Sequence, residues 1–232
     1  GFKVSINVIT DDNVINAAEA GANLAVTRAV TGEFIGGDSV TLRVPDTTHS
    51  RSVQADGSYS IEVAGSDLAA DSSISASITT TDAAGNSSTA QDTQSYNVDI
   101  DAPELSVSIN DITDDNVINA AEAGENIAVT GAVTGEFIAG DSVTLSVNGN
   151  DYSGQVQADG SYSIEVAGSD LAADSSISAS ITTTDAAGNS STAQDNQHHN
   201  SDVDAQRPKN IKHAISEQAT INAPQEGHEI SE

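Results

Sequence analysis

Asp56-Gly57-Ser58-Tyr59-Ser60-Ile61-Glu62-Val63 reads as a tight turn followed by strict alternation, with Tyr59, Ile61 and Val63 on one side and polar residues on the other. Period two places the apolar set on one face of a pleated strand, whereas a helix needs apolar residues three and four apart. The same rhythm extends outward through Val4/Ile6/Val8, Leu24/Val26, Val40/Leu42/Val44 and Ile74/Ala76/Ile78. Strands with one face buried and one wet are the antiparallel kind, and Val, Thr and Ser fill them as strand preference requires. Seven strands are expected, at 3–9, 22–30, 39–44, 49–54, 58–63, 73–80 and 87–97. Turn residues separate them at Gly36-Gly37-Asp38, Asp56-Gly57 and Asp82-Ala83-Ala84-Gly85-Asn86. Asn16 to Ala20 is compatible with a single helical turn.

Seven short strands in about 100 residues form the pattern of an immunoglobulin-like β-sandwich. The Cys and Trp markers of antibody domains are absent, since the chain contains neither residue. The kinship is therefore one of architecture.

The unit occurs twice. Val53 to Asp92 returns letter for letter as Val156 to Asp195, and Thr10 to Glu19 returns as Thr113 to Glu122. The expected organisation is repeat 1 over 1–98, a linker over 99–103, repeat 2 over 104–200 and a disordered tail over 201–232. The fold class is thus all-β, two tandem sandwiches. The linker Val98-Asp99-Ile100-Asp101-Ala102-Pro103 has no flexible Gly/Ser run, and Pro103 holds Ala102 extended. A duplicated domain multiplies length or valency, which an active site does not need.

Charge narrows the function. Of the 232 residues, 35 are acidic and 7 basic. Between Glu104 and Gln197 there is no Lys or Arg at all. This excludes ordinary nucleic-acid binding and disfavours anionic membranes, both of which need cations on the protein. No run of 18 apolar residues exists, so no transmembrane helix is expected. Starting at Gly1 without a leader, the chain reads as a piece of something longer. No Ser/His/Asp set or phosphate-binding Gly-rich loop appears, so an enzyme is not expected. The His198–His199 pair has no third ligand at a suitable spacing for a transition metal.

Dense carboxylates without counter-charges repel one another unless cations sit among them. Hard divalent cations take six to eight oxygens from carboxylates, amides and backbone carbonyls. Three motifs offer such oxygens: Asp11, Asp12, Asn13, Asn16 and Glu19 in the first loop; Asp82 and Asn86 in the last turn; Asp99 and Asp101 in the linker. Their repeats are Asp114, Asp115, Asn116, Glu122, Asp185, Asn189, Asp202 and Asp204. None matches the EF-hand spacing. Asp56-Gly57 and Asp159-Gly160 read instead as hairpin turns, and Asp82 to Asn86 fits turn chemistry as well as ligation. In a seven-strand sandwich the linker would run between Asp11, Asp12, Asp67 and Asp71 on one side and Asp141, Asp159 and Asp185 on the other. Ca²⁺ bound there would convert a hinge into a stiff joint. An acidic, salt-adapted surface without specific metal sites is the bland alternative.

These residues resemble the immunoglobulin-like extender repeats of giant bacterial adhesins of the RTX type. The matching pieces are Asp-Asn-Val-Ile-Asn-Ala-Ala-Glu (12–19 and 115–122), Ala-Asp-Gly-Ser-Tyr (55–59 and 158–162), Thr-Asp-Ala-Ala-Gly-Asn (81–86 and 184–189) and Val-Asp-Ile-Asp-Ala-Pro (98–103). The resemblance implies an extracellular, cell-surface filament exported by a type I system. It also implies Ca²⁺ as the rigidifying ion, neighbouring repeats as partners, and a role in attachment and biofilm formation. Any external surface or glycan ligand would belong to other domains of such a protein. The rival reading is a glycan-binding module, for which Tyr152 is the best exposed aromatic candidate.

Overall fold

The computed structural model describes residues 1–204, so most of the expected disordered tail lies outside the described residues. In the first repeat the elements are β1 (Lys3–Val4), β2 (Val14–Ile15), α1 (Ala17–Ala20), β3 (Asn23–Thr31), β4 (Ser39–Val44) and β5 (Thr47–Ser52). They continue with β6 (Ser58–Ala64), α2 (Gly65–Ala69), β7 (Ser73–Thr81), β8 (Ser87–Ser95) and β9 (Asn97–Val98). One sheet has the order β1-β3-β6 and the other β5-β4-β7-β8. The two inner faces meet as the alternation requires: Val26, Ile61 and Val63 from one sheet face Val40, Leu42, Ile74 and Ile78 from the other, all 4% exposed or less. Each such side chain contributes on the order of 1.5–3 kcal/mol by leaving water.

The second repeat rebuilds this. Its strands are β10 (Leu105–Ile109), β11 (Val117–Asn119), β12 (Asn126–Gly135), β13 (Ser142–Val147), β14 (Asn150–Gln155), β15 (Ser161–Ala167), β16 (Ser176–Thr184), β17 (Ser190–His198) and β18 (Asn200–Asp202), with α3 (Gly168–Ala173) in the place of α2. Its sheets are β10-β12-β15 and β14-β13-β16-β17. Ser201 and Asp202, assigned by the sequence to the tail, pair in parallel with Ile118 and Asn119 and so extend the second domain.

Three departures have physical causes. The expected strand 49–54 lies at 47–52, because β4 and β5 close through a two-residue turn that pairs Val44 with Thr47. In the second repeat that turn is Asn148-Gly149, both at positive φ, as a primed hairpin turn demands. The expected strand 3–9 is regular only at β1, with the Ser5 and Asn7 amides continuing its bonds to β3, and the unexpected β2, beyond the first loop, runs parallel to β9. The turn α2 escapes a period-based reading because it is only five residues long. It inserts Leu68, fully buried, and the Leu68 carbonyl accepts a 2.8 Å bond from the Tyr96 hydroxyl. His199 replaces Tyr96 in the second domain and reaches the Leu171 carbonyl at 2.7 Å, so the joint survives the change of side chain.

Where α2 begins, Gly65 lies directly against the end of α1. A Cβ there would sit 1.8 Å from the Glu19 carbonyl oxygen and 2.7 Å from that of Ala22. Gly65→Ala should therefore destabilise the first domain by on the order of 3 kcal/mol, at the upper end of overpacking costs. Gly85 has positive φ but open space around it, so Gly85→Ala should cost only about 1 kcal/mol. Urea unfolding of the two variants would check the contrast, and equal costs would contradict it.

Candidate cation-binding junction

The first loop places its acidic residues through backbone demands. The Asp12 carboxylate accepts from the Val14 amide at 3.0 Å and the Thr10 hydroxyl at 3.0 Å. Those bonds, the Val14 amide foremost, hold its pKa below the usual carboxylate range. Asn13 is left-handed at φ 59, and its Nδ2 donates to the Ser95 carbonyl at 2.9 Å, tying the loop to the last strand. Asn116 does the same at φ 55 through the His198 carbonyl. Glu19 completes a capping box, accepting from the Asn16 amide while the Asn16 side chain accepts from the Glu19 amide. Glu122 accepts the matching bond from the Asn119 amide, and Asp115 that of Val117. Asp11 and Asp114 are exposed, as are Asp202 and Asp204 at the far end.

The last turn is also built around a carboxylate. Asp82 Oδ1 accepts from the Ala84 and Asn86 amides at 2.9 and 2.8 Å, and Asp82 Oδ2 from Asn86 Nδ2 at 3.0 Å. The Asn86 side chain is the main cause of Asp82's lowered pKa, followed by the Asn86 amide. Asp185 repeats the pattern with Ala187 and Asn189. Burial pushes Asp185 upward, but the Asn189, Ala187 and Gly188 donors still hold it low.

The two motifs meet where the domains join. Asn16 Nδ2 donates to the Ala187 carbonyl at 3.0 Å, and the Ala17 amide donates to Asn189 Oδ1 at 2.9 Å. Asn189 Nδ2 then reaches the Asp99 carbonyl at 2.8 Å. First loop, linker and last turn are thus brought together, as the topology requires. Beside them lies a cleft of about 310 Å³ walled by Asp99, Asp101, Ala102, Pro103, Glu136, Ile138, Thr184 and Asp185. Four carboxylates therefore line one cleft. Its donors are all hard oxygens, which suits Ca²⁺ in kind. Among the described residues, however, no three Asp, Glu, His or Cys groups are placed to hold a metal ion. The oxygens fit in chemistry but would have to draw closer around an ion.

Glu136 escaped the sequence reading. Its signal was the pair Thr31-Gly32-Glu33-Phe34 and Thr134-Gly135-Glu136-Phe137, the same acidic residue before the same aromatic in both copies. Tyr152 is half-buried and its hydroxyl donates to Asp170, so it does not stand free as a sugar platform. None of the seven aromatic residues is exposed.

No protein-family model and no curated protein matches the chain. Solved structures do. The chain is 44% identical to a Ca²⁺-stabilised adhesin that helps an Antarctic bacterium reach out and bind ice, with TM-score 0.81 over 87% of this chain and 49% of the other. It is 40% identical to a structure from a 1.5-MDa bacterial ice-binding adhesin, with TM-score 0.76 over 88% of this chain and 65% of that one. An isolated immunoglobulin-like domain of the M. primoryensis ice-binding adhesin aligns at 46% identity over 44% of this chain and 98% of its own length, with TM-score 0.40. The chain spans about half and about two thirds of the first two.

The turn carboxylates predict a pH response. Asp12, Asp82 and Asp185 have lowered pKa values when folded. Their contribution is therefore complete above the ordinary carboxylate value of about 3.9 and is lost as pH falls through the lower folded values. Urea midpoints should drop below about pH 4, with the drop shallower for Asp82→Asn. Midpoints that stay level to pH 2 would contradict this assignment.

Proposed function

Because the chain belongs with the immunoglobulin-like extender repeats of large bacterial RTX adhesins, we propose that it is a structural spacer of such a protein, stiffened by Ca²⁺ at its inter-domain junction. The spacer works outside the cell, carrying a distal adhesive part away from the surface and so supporting attachment and biofilm formation. It has no catalytic role. The observation that carries the reading is the junction cleft, where Asp99, Asp101, Glu136 and Asp185 crowd together in a stretch of chain without a single Lys or Arg. Asp99, Asp101 and Glu136 are the residues that would hold the ion, with backbone carbonyls and water completing its shell. Asp185, already bonded to the last turn, contributes charge and an outer contact. The ion would supply the missing positive charge and tie linker to domain.

The loop sets Asp11–Glu19 and Asp114–Glu122 and the turns Asp82–Asn86 and Asp185–Asn189 are secondary candidates, because most of their oxygens already cap amides within the same domain. Asp202 and Asp204 stand at the end of the second repeat as Asp99 and Asp101 stand at the end of the first, and would serve the next joint.

Calorimetric titration should show Ca²⁺ binding at about 10⁻⁴–10⁻³ M, the range of extracellular modules. At roughly 10 mM Ca²⁺, each such site should add about 1.4–2.7 kcal/mol of stability. Asp99→Asn with Asp101→Asn should remove the junction's share of the heat. No heat at millimolar Ca²⁺, with a melt unchanged by EDTA, would leave the salt-adapted acidic surface as the better account.

A further inference from the structure

Residues 16–21 and 119–124 share the sequence Asn-Ala-Ala-Glu-Ala-Gly but fold differently. The first forms an α-helical turn over Ala17–Ala20, the second a 3₁₀ turn over Glu122–Gly124. At the opposite pole of each domain, Asp82–Asn86 and Asp185–Asn189 are likewise identical in sequence. Yet Asn86 and Ala84 are exposed, whereas Asn189 is only 5% exposed and Ala187 6%. The α-helical member of the first pair and the buried member of the second are the ones facing the junction.

One side chain connects them. Asn189 offers an acceptor and two donors, and all are used: Oδ1 takes the Ala17 amide, while Nδ2 gives to the Asp99 carbonyl and to Asp185 Oδ2. An amide is suited to this place, since it can accept and donate at once without adding charge. A carboxylate there would have nothing to donate and would face Asp185. We propose that Asn189 is the positioning residue that sets how one repeat sits on the next. The unengaged copies of the same two surfaces, Ala84 and Asn86 at one end and Asn119 and Ala120 at the other, are open halves of the same joint. Their partner is a further copy of this repeat placed in series. The joint can be weak, because a short linker holds neighbouring repeats at high effective concentration. This goes beyond stiffening by a cation, since the contacts are protein hydrogen bonds alone.

The chain has no cysteine, so Ser60→Cys and Ser163→Cys, exposed and one in each domain, allow spin labels whose separation is read by pulsed dipolar spectroscopy. The expected result is a narrow distance distribution for the labelled parent in Ca²⁺. Asn189→Ala should broaden it in Ca²⁺ and broaden it further than the parent in EDTA. Asn189→Asp, of the same shape but without donors, should fall between. Asn86→Ala, the same cut at the free end, should leave the width unchanged. By hydrogen exchange, the Ala17 amide should be about fivefold or more better protected than Ala120, and Asn189→Ala should erase the difference. An Asn189→Ala distribution as narrow as the parent's would overturn the proposal. So would equal protection of Ala17 and Ala120. Broadening confined to Ca²⁺ would also overturn it, by making Asn189 a cation ligand. A parent indifferent to EDTA, with Asn189→Ala still broadened, would sustain this proposal while removing the calcium reading.

Discussion

A carboxylate among other carboxylates is held either by hydrogen-bond donors or by a cation. In this chain the donors are visible, and they account for many of the acids. Inside each domain the donors are backbone amides: Asp12 bonds Val14, Asp56 bonds Ser58, and Asp82 bonds Ala84 and Asn86. Turns made this way take their shape from hydrogen bonds, without disulfides. Between the domains Asp185 accepts the Ala187 and Asn189 amides and Glu136 the Glu104 amide, yet Asp99, Asp101, Glu136 and Asp185 share one cleft. Even so, four negative charges crowd one place, and that place is the joint.

Most of the sandwich was legible in the sequence, because each inner-face strand shows its period directly. Tyr59, Ile61 and Val63 are buried as alternation requires, and so are Ile74, Ala76 and Ile78. What was hidden lay in contacts too short to have a period. Two residues suffice for the parallel ladder of β2 with β9, and no hydrophobic pattern announces a pair that small. The turn α2 depends on Gly65 tolerating the Glu19 carbonyl, a tertiary fact that sequence composition does not carry.

The site was legible in outline. Linker and last-turn acids were expected to meet, and Asp99, Asp101 and Asp185 do share one cleft. The reading counted oxygens but could not see which were already occupied by amides, as those of Asp12, Asn13 and Glu19 are. Nor could it see that the surroundings of Asn189 differ from those of Asn86 despite identical local sequence. Identical peptides with unlike partners are beyond any single-chain pattern.

The parallel course of β2 and β9 has a mechanical meaning. Tension on the first domain enters through β1, bonded antiparallel to β3, reaches β2 behind it, and leaves through β9. On two strands running the same way, opposite pulls at their outer ends act along the strands. The hydrogen bonds between them are then stressed together in shear, not peeled one by one. Once load reaches β2, the domain would yield by a rate set by the barrier to breaking that short ladder, more than by the equilibrium stability of the sandwich behind it.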